Sequence, residues 1–407
     1  MQEMNTKIED QKIKCSVEDS FCNTSIREKW NQLVKDCNST IYMSFDWCRI
    51  WWEHYADNRK LMLFYFYNDF QLIGVLPMYL EIYKIGPIKI RISRIIGSKI
   101  APKIFNPPII SQWAENVFNI FLETMYFDYK CNFISFGPIS SNYRLIESLN
   151  KLCSKKKKII DSYDVSTIGI HSLFNLQDNF ENYLNSLTKK ERKNRLYELK
   201  KLEKKFNIKV ELVQKTEEIE NEFQKFIKMH TKQWHAQGRP GHFEAWPDAE
   251  NFNVALVKEF AQQGKLQLLK IASDETVISY QYGFLFGDCL YWQLPARALD
   301  EVWSKYSTGN ISVILMIKNA IENKVRKIEA GIGHYEYKTR LGAIEYPVKC
   351  IRIITNSKKS LFILPVLFTI SWIFNIGYYK IWYRRIQPKL PPYFQWPILK
   401  VWIKYML

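Results

Sequence analysis

A short polar stretch, Ser307-Thr308-Gly309-Asn310, has the composition of a helix start that can bind an anion. Ser, Thr and Asn are favoured capping residues, and a glycine lets a phosphate group approach the backbone. The apolar segment ISVILMIKNAI follows directly, as expected for a buried helix. Because the first N–H groups and the dipole of a helix favour negative charge, a start of this kind can bind an anionic group. The same four residues also suit an ordinary helix start.

A strongly basic stretch, SLTKKERKNRLYELKKLEKKFN, occupies residues 186–207. Residues 189–205 hold nine Lys or Arg and three Glu, a local net charge of +6. Thr188 and Glu191 have the spacing of a capping box, which predicts a helix that begins after Thr188. An apolar stripe at helical spacing follows, formed by Leu196, Leu199, Leu202 and Phe206. The stretch is therefore interpreted as an amphipathic helix whose basic face is either solvated or binds phosphates.

The motifs of several common protein classes do not occur in the sequence. It has no G-x-G-x-x-G and no Walker motif, which argues against a Rossmann dehydrogenase or a P-loop enzyme. It has no G-x-S-x-G, so a covalent serine intermediate is not predicted. No helix-turn-helix or zinc-finger pattern supports binding to DNA. The eight cysteines form no C-x-x-C pair or Cys/His cluster, so we expect no metal site and reduced, buried thiols.

The composition predicts a folded chain that attracts polyanions. With 407 residues, of which 47% are apolar, the chain is long enough for two or three domains with sizeable cores. Its net charge of +17 favours RNA, anionic lipid headgroups or a nucleotide-like ligand as partners. The N-terminus is polar and lacks the apolar segment of a secretory signal, so a cytosolic protein is expected.

The apolar pattern predicts one order of α and β elements that occurs twice. Residues 45–55 and 114–127 are predicted as helices, and residues 131–139 as a buried strand. One hairpin is predicted to turn at Asn68-Asp69 and another near Ser273-Asp274. The hairpins align without a gap at a separation of 205 residues, matching Lys60 to Lys265, Asp69 to Asp274 and Ile73 to Ile278. Each is followed by a further strand, a helix and a strand ending in Gly, which favours two similar units over a chance recurrence.

The C-terminal segment has a membrane-like composition. Residues 361–379 carry no charge, and their length is at the lower limit for a spanning helix. Pro365, Asn375 and Gly377 interrupt them. The wider C-terminal region, from residue 356 onward, contains basic and aromatic residues that are interleaved. They are Lys358, Lys359, Lys380, Arg384, Arg385, Trp372, Trp382, Tyr383, Trp396 and Trp402. This pattern favours an interfacial or re-entrant membrane segment, with a spanning helix or a helical hairpin packed on the protein as alternatives.

Four short motifs occur in a fixed order in the second half of the chain. They comprise Tyr183, Leu184, Leu187, Lys190 and Arg192; His230, Trp234 and Gly238; Ser307, Gly309 and Ile317; and Gly333, Tyr337 and Lys338. In this order they resemble the motifs of the CelD-like acetyltransferases, a GNAT-fold family tied to cellulose and exopolysaccharide biosynthesis. The segments WCRIWW and LIGVLPMY resemble the N-terminal unit of that family. The resemblance covers residues 45–355, roughly, and not the tail.

The resemblance implies an α/β (α+β) fold of two tandem GNAT-like units, with mixed sheets flanked by helices, and a basic aromatic helical tail. The expected domains are a weakly ordered segment 1–40, an N-terminal unit 41–170, an acetyltransferase-like unit 171–355 and a membrane-interacting tail 356–407. It also implies an acyltransferase that uses acetyl-CoA or another acyl-CoA, without a metal. The pyrophosphate of the cosubstrate would lie on Ser307, Thr308, Gly309 and Asn310, and the acceptor would be an amine or hydroxyl of a sugar or cell-envelope precursor.

Direct acyl transfer needs a base for the acceptor, donors for the oxyanion and an acid for the departing thiolate. The candidate bases are His230, His334 and Glu336, and a histidine suits the role because it titrates near neutral pH. Tyr335 or Tyr337 is the candidate acid. Each histidine has an alternative, purely structural interpretation.

Two further residues are candidates for substrate binding. Trp234 is either a core residue or a platform for the substrate, and Lys338 either pairs with a phosphate or carboxylate or is exposed. The sequence departs from the family pattern at two places. Tyr335 stands where many members carry an acidic residue, and Ile328-Glu329 replaces an Asp-Phe pair.

Two alternatives to the acetyltransferase hypothesis stay open. The FemABX peptidyltransferases, which also contain tandem GNAT-like units, transfer an aminoacyl group from tRNA to a lipid-linked peptidoglycan precursor. In that case the basic stretch would contact tRNA, with an affinity that falls steeply with salt. A non-catalytic, membrane-associated scaffold is the other alternative. All three hypotheses predict a bacterial cytoplasmic protein that is peripheral at the inner face of the cell membrane.

Overall fold

The computed structural model describes residues 13–391, so the predictions for residues 1–12 and for Trp396 and Trp402 lie outside it. The described chain forms two compact units. Unit 1 contains the residues up to Ser98, together with Ile104–Thr167 and Lys349–Val366. Unit 2 contains Lys99–Lys103, Ile168–Val348 and the described residues from Leu367 onward.

Unit 1 is built on a sheet of antiparallel strands that also contains one parallel pair. The strand order is β1-β2-β3-β4-β5-β12, antiparallel from β1 to β4 and parallel between β4 and β5. Part of β6 also belongs to this unit. The strands are β1 (Lys14–Glu18), β2 (Arg59–Asn68), β3 (Gln71–Ile85), β4 (Ile88–Ile95), β5 (Phe133–Ser140), β6 (Ile160–Asn175) and β12 (Ile344–Thr355). The helices are α1 (Arg27–Asp36), α2 (Phe45–Tyr55), α3 (Ala114–Phe127) and α4 (Leu145–Lys155).

A strand and a helix within residues 14–36 take part in the core of unit 1, whereas the sequence predicts a weakly ordered segment over residues 1–40, of which 1–12 lie outside the described chain. Strand β1 pairs with β2, and α1 buries Trp30 completely. The Trp30 ring packs edge-on against Phe45 and Tyr65, and its indole N–H donates to the carbonyl of Met43 at 2.7 Å. The local sequence is polar, but a few aromatic contacts of this kind stabilise it through tertiary packing.

Unit 2 repeats the same order of strand directions. Its strand order is β6-β11-β10-β9-β8-β7, antiparallel except for the parallel pair β10 and β11. The further strands are β7 (Ile208–Leu212), β8 (Leu266–Ser273), β9 (Thr276–Phe286), β10 (Cys289–Arg297) and β11 (Lys327–Ile332). The helices are α5 (Phe180–Ser186), α6 (Lys189–Glu203), α7 (Thr216–His235), α8 (Ala249–Gln262), α9 (Glu301–Ser304), α10 (Thr308–Glu322) and α11 (Glu336–Arg340). The predicted α/β class, with mixed sheets flanked by helices, is confirmed.

The two predicted hairpins are present and turn in the same way. Asp69 and Asp274 both have left-handed backbone angles, with φ of 50° and 52°. Each follows its first strand directly, so the turns lie at residues 69–70 and 274–275, one residue later than predicted. Aspartate is among the residues that tolerate this conformation. The helices predicted at 45–55 and 114–127 have the predicted bounds.

The basic helix α6 begins where its capping box predicts. The backbone N–H of Glu191 donates to the hydroxyl of Thr188 at 3.3 Å. The Glu191 carboxylate instead accepts from Arg195 at 3.2 Å, and both side chains are buried. Leu199 and Leu202 are buried as predicted, but Leu196 is exposed, so the apolar stripe is narrower than the sequence pattern indicates. Most of the basic residues of α6 remain exposed.

The tail forms one helical segment with an exposed apolar surface. Helix α12 (Lys358–Phe374) continues as a wider π-helix, Asn375–Ile386. Ser360, Leu364, Leu367 and Ser371, spaced three or four residues apart, are buried along one face. The rest of α12 exposes large apolar side chains, namely Leu361, Phe362, Val366, Trp372 and Ile373. Within the described chain, Ser360–Lys389 is the segment long and apolar enough to cross a membrane, with a mean hydropathy of 1.8.

The eight cysteines are free thiols, and four of them are buried. Burial raises the pKa of Cys289 and of Cys131 to about 12, so these thiols are protonated at neutral pH. Cys22 is an exception to the predicted burial because its side chain is exposed. The buried cysteines therefore act as small apolar core residues.

Candidate functional site

The parallel strands β10 and β11 of unit 2 separate soon after they begin. They pair only from Cys289 to Tyr291, opposite Lys327 to Glu329. A register shift between Trp292 and Leu294 marks a β-bulge in β10, which continues along β9 as far as Arg297. A bulge bends its strand, and here the bend accompanies the separation from β11. The separation opens a slot between two neighbouring strands at their carboxyl ends.

Helix α10 begins beside this slot with an unusual backbone conformation. Ser307 precedes it in the left-handed region, with φ of 52°, and its side chain makes no capping hydrogen bond. The predicted capping role of Ser307 is therefore wrong. The backbone N–H of Asn310 donates to the carbonyl of Ser307 at 2.9 Å. Because the first N–H groups of a helix have no intrahelical acceptor, Thr308 and Gly309 present theirs at the helix start.

The Thr308 side chain adds a second feature to the helix start. Thr308 is 1% exposed, and its hydroxyl has no hydrogen-bond partner among the described residues. A buried hydroxyl without a partner is costly, which is typical of a position that is satisfied by a ligand or a water molecule. The start of α10 thus combines backbone donors, the helix dipole and a hydroxyl group.

Arg297 is a residue of this site that the sequence analysis missed. It ends β10, and its Cδ and Nε lie 3.4 and 3.8 Å from the position that a Cβ atom on Gly309 would occupy. Its guanidinium makes no hydrogen bond or ion pair within residues 13–391, whereas its backbone N–H donates to Gln233 at 3.1 Å. An arginine next to a helix N-terminus forms a strong anion site, because both features favour negative charge. No sequence motif links positions 297 and 309, so only the fold identifies the pair.

The basic helix α6 reaches the same place. The Nζ atoms of Lys201 and Lys205 lie 5.1 and 5.8 Å from the ring centroid of Tyr306, the residue before Ser307. A groove of about 170 Å³ runs between α6 and this loop, and Lys201, Lys305, Tyr306 and Ser307 line it. Part of the basic face of α6 therefore borders the start of α10, next to the anion site.

A buried charged cluster lies where β11 ends. The Glu329 carboxylate is 5% exposed, accepts the Gly331 N–H at 3.0 Å and lies 3.3 Å from Nδ1 of His171. Lys338 is also buried, and its ammonium donates to the carbonyl of Ala330. Burial lowers the pKa of Lys338 to about 8, partly opposed by the negative charge of Glu329. Lys338 is therefore a buried cation near the slot, not an exposed side chain.

Lys103 completes this cluster from a distant part of the chain. Burial lowers its pKa to about 8, and Glu329 opposes the shift. Its charge in turn contributes to lowering the pKa values of Lys338 and His242. Glu345 also opposes the lowered pKa of Lys338, so the charges acting in this cluster are those of two lysines and two glutamates.

His230 forms a hydrogen-bonded pair with His242. Nδ1–H of His230 donates to the carbonyl of Pro295 at 2.8 Å, and Nε2 of His230 lies 3.0 Å from Nδ1 of His242. Burial lowers the pKa of His230, and burial together with the charges of His230 and Lys103 lowers that of His242 to about 3. Both rings are therefore neutral at pH 7.

The hydrogen bonds of this pair determine where its protons are. A carbonyl can only accept, so Nδ1 of His230 carries the proton and Nε2 is bare. His242 must then donate from its own Nδ1, which leaves Nε2 of His242 as a bare, exposed acceptor. His230 is only 1% exposed and has both nitrogens engaged, so the ring nitrogen of this pair left without a partner in the described chain is Nε2 of His242, a residue that sequence reasoning missed.

The remaining candidates occupy less favourable positions. His334 is exposed, and its Nδ1 lies 2.8 Å from the Glu345 carboxylate. Glu336 is exposed on α11 and pairs with Arg340, as a solvated helix residue does. Tyr337 is half-buried against the core of unit 2, and burial raises its pKa above the ordinary value. The structure does not bring these three side chains together with His230.

Trp234 lies beside the histidine pair. Its ring centroid is 6.0 Å from that of His230 and 4.9 Å from that of His242. The side chain is half-buried, so it fixes one face of the His242 ring and still contacts solvent. Trp234 is therefore a packing residue of this pair, and its role as a platform for the substrate stays a prediction.

Comparisons with known proteins agree with this geometry. A family model described as an acetyltransferase (GNAT) domain matches residues 189–339. The crystal structure of FemX is similar with a TM-score of 0.60 and 11% identity, over 83% of this chain and 98% of that chain. A conserved protein of unknown function from Bacteroides thetaiotaomicron VPI-5482 is similar with a TM-score of 0.54 and 10% identity, over 84% of this chain and 100% of that chain. No curated protein sequence matches the chain.

These comparisons show a GNAT-type domain and its fold. The matched range contains α6, the pair His230 and His242, the start of α10 and Lys338. Likeness at 10–11% identity shows the fold alone. The narrower assignment to the CelD-like family stays a prediction.

Proposed function

We propose that unit 2 transfers an acyl group from acyl-CoA, such as acetyl-CoA, directly to an amine or hydroxyl group. The slot between β10 and β11, with the start of α10 and Arg297 beside it, is the observation that carries this proposal. It provides an elongated space between strands and, at one side of it, a site for a pyrophosphate. The match of residues 189–339 to a GNAT domain supports the same reaction class.

The residues at the start of α10 fit the diphosphate of CoA. Gly309 leaves the backbone accessible, Arg297 supplies a half-buried cation that has no side-chain partner among the described residues, and the Thr308 hydroxyl supplies a further donor. Lys201 and Lys205 extend this positive region along α6 toward additional phosphate charge. The thioester of the bound cosubstrate would supply the activated acyl group.

The polar cluster near the slot can perform the proton transfers. The acceptor attacks the thioester carbonyl as its proton passes to the bare Nε2 of His242, and His230 holds the ring in the required tautomer. Collapse of the tetrahedral intermediate breaks the C–S bond, and the His242 imidazolium, a strong acid because its pKa is low, gives the proton to the departing CoA thiolate. Lys338 places a buried positive charge where an oxyanion develops and stabilises it. Lys103 and Glu329 set the net charge around Lys338.

The pH profile tests the role of Lys338. Its pKa of about 8 predicts that the rate of acyl transfer falls as the pH rises through about 8, because the cation is lost above that value. We expect Lys338→Met to lower kcat by about 10²–10³-fold, which is typical for loss of an oxyanion donor, and to remove this limb of the profile. The measurement is kcat from about pH 6 to 10 for both proteins.

Lys338→Arg serves as the control for the pH profile. Arginine keeps its positive charge at all these pH values. If Lys338→Arg is partly active, its kcat should therefore not fall above pH 8. A rate that instead increases above pH 8 in the unaltered protein would contradict the proposal, because it would identify the neutral amine as the active form.

The acceptor is proposed to be a sugar or a cell-envelope precursor at the membrane. The exposed apolar face of α12 supports a position at the inner face of the cell membrane, because such a surface binds lipid when basic residues flank it. Only 22% of the apolar window in Ser360–Lys389 is buried, unlike a core helix. An interfacial position fits these facts, since Ser360 and Leu364 are buried on the opposite face.

Charged residues on the exposed face of α12 should abolish membrane binding. We expect the double variant Phe362→Glu/Trp372→Glu to bind vesicles of phosphatidylglycerol and phosphatidylcholine at least 10²-fold more weakly. Each large apolar side chain buried in lipid contributes about 1.5–3 kcal/mol. Vesicle flotation measures the effect, and Phe70→Glu is the matched control because Phe70 is a fully accessible apolar residue at a hairpin tip. Equal flotation of all three proteins would refute the membrane assignment.

A second candidate function is aminoacyl transfer from tRNA to a lipid-linked precursor. Its support is the fold likeness to FemX, which extends over 98% of that chain. The exposed lysines of α6 could then contact the RNA backbone in place of CoA phosphates. A scaffold without catalysis remains the third outcome.

One experiment distinguishes these functions. The protein is titrated calorimetrically with acetyl-CoA and, in parallel, with bulk tRNA at two salt concentrations. Saturable acetyl-CoA binding supports the acyltransferase. Salt-sensitive tRNA binding without CoA binding supports the aminoacyl transfer, and binding of neither ligand would favour the scaffold.

A further inference from the structure

A separate cavity lies in unit 2 between the C-terminal half of α10 and the strands β7 to β10. It encloses about 240 Å³ and is lined by backbone or side chains of all five elements. Arg297, His242 and Lys338 do not line it, nor do the first residues of α10. The cavity is therefore distinct from the residues proposed for acyl transfer.

The lining of this cavity is polar but uncharged. It contains no Lys, Arg, His, Asp or Glu, while leucine, methionine and aromatic residues form its apolar part. The polar part consists of five carboxamide side chains, namely Gln214, Gln267, Gln281, Asn319 and Asn323. Each carboxamide offers both a donor and an acceptor. Such a lining excludes an ionic ligand and suits a neutral one that carries several hydrogen-bonding groups.

Gln281 presents an acceptor of fixed orientation on the buried side of the cavity. The Ser279 hydroxyl donates to the carbonyl of Ala296 at 2.8 Å, so its oxygen can only accept from Gln281, whose Nε2 lies at 3.3 Å. The carboxamide oxygen of Gln281 then points away from Ser279, and it has no partner within the described chain. Gln281 is 3% exposed, so this unpartnered oxygen is costly unless a ligand satisfies it.

Trp292 presents a donor in the same cavity. Its indole N–H is buried and makes no hydrogen bond within residues 13–391. The indole ring also supplies an apolar face, against which the C–H groups of a ring can pack. Gln281 and Trp292 both line the cavity, and each carries a buried polar atom that has no partner within the described chain.

We propose that this cavity is a binding site for a single neutral sugar ring, a hexopyranose. The volume is slightly below the range of about 300–1,000 Å³ typical of pockets for drug-sized ligands, so it suits one ring. A sugar hydroxyl can donate and accept hydrogen bonds at the same time. It can therefore accept from the Trp292 indole N–H and donate to a carboxamide oxygen such as that of Gln281. Gln214 and Asn323 are exposed and form the entrance.

Two variants test the site directly. Saturation-transfer NMR and calorimetry with glucose and with N-acetylglucosamine should show saturable binding to the full chain, and weaker binding of the anionic glucuronate. We expect Gln281→Leu and Trp292→Phe each to weaken the binding at least tenfold. Gln281→Leu should at the same time leave the Tm unchanged or raise it, because it replaces an unsatisfied buried group by an apolar one.

Gln263→Leu is the matched control, since Gln263 pairs with Glu259 outside the cavity and the chemical change is the same. It should leave sugar binding unchanged. The proposal is overturned if neither neutral sugar binds, or if both binding constants are unaffected by the two cavity variants. A marked fall in Tm for Gln281→Leu without any sugar binding would show that the cavity holds only structural water. None of these readouts depends on acyl transfer, so they test the cavity independently of the proposed reaction.

Discussion

Gly309→Glu is expected to weaken acetyl-CoA binding at least 100-fold. The new carboxylate would lie at the start of α10, where the pyrophosphate is proposed to bind, and it would repel that group. It would also pair with Arg297, whose Cδ lies 3.4 Å from the position of the added Cβ atom. A 100-fold loss corresponds to about 2.8 kcal/mol, the size expected when an attractive ionic contact is replaced by a repulsive one. Calorimetric titration measures it.

The fold should tolerate this substitution, so the result concerns the site and not stability. A Cβ atom at Gly309 makes only ordinary contacts with Arg297, and its backbone φ is not positive. Gly309→Gln is the control, because glutamine has the bulk of glutamate without its charge. We expect this variant to lose less affinity for acetyl-CoA than Gly309→Glu does. Arg297→Gln should weaken binding by about tenfold or more, because a charge-assisted contact is removed. Unchanged acetyl-CoA affinity in Gly309→Glu would refute the assignment of the helix start.

His242→Ala is expected to lower kcat by about 10²–10⁴-fold with little change in acetyl-CoA affinity. The variant removes the bare Nε2 that is proposed to accept the proton of the acceptor, while the residues at the start of α10 stay in place. Because the pKa of His242 is lowered to about 3, its neutral form is present throughout the neutral range. The rate should therefore show no histidine limb near pH 6.5, and it should fall only in strong acid.

His230 tests the same pair from the other side. His230→Gln should reduce kcat less than His242→Ala does, because it removes the partner that fixes the tautomer and leaves the base in place. His235→Ala is the matched control, since His235 lies on the same helix and pairs with Glu244 at 2.8 Å, outside the pair. If His242→Ala retained full activity while His334→Ala lost it, the base would be His334, the exposed histidine beside Glu345.

Much of the local structure could be predicted because it depends on nearest neighbours along the chain. The capping box at Thr188 determines where α6 begins, and the aspartates at 69 and 274 fit left-handed turn positions. Periodic apolar residues predict α2 and α3 with their observed bounds. These signals depend on a few neighbouring residues, so they can be recognised in the amino-acid sequence alone. Where local signals and packing compete, as at Trp30, tertiary contacts decide.

The sequence by itself determined the α/β class, the repeated order of elements, the start of α10 and the basic helix beside it. Tertiary structure alone decided which side chains form the site. Arg297 meets Gly309 because a strand and a helix converge, and Lys103 approaches Lys338 across more than half the chain. The fold engages both nitrogens of His230, which is why the proposed base is His242 and not His230. Such contacts depend on packing between distant segments, and no spacing along the chain encodes them.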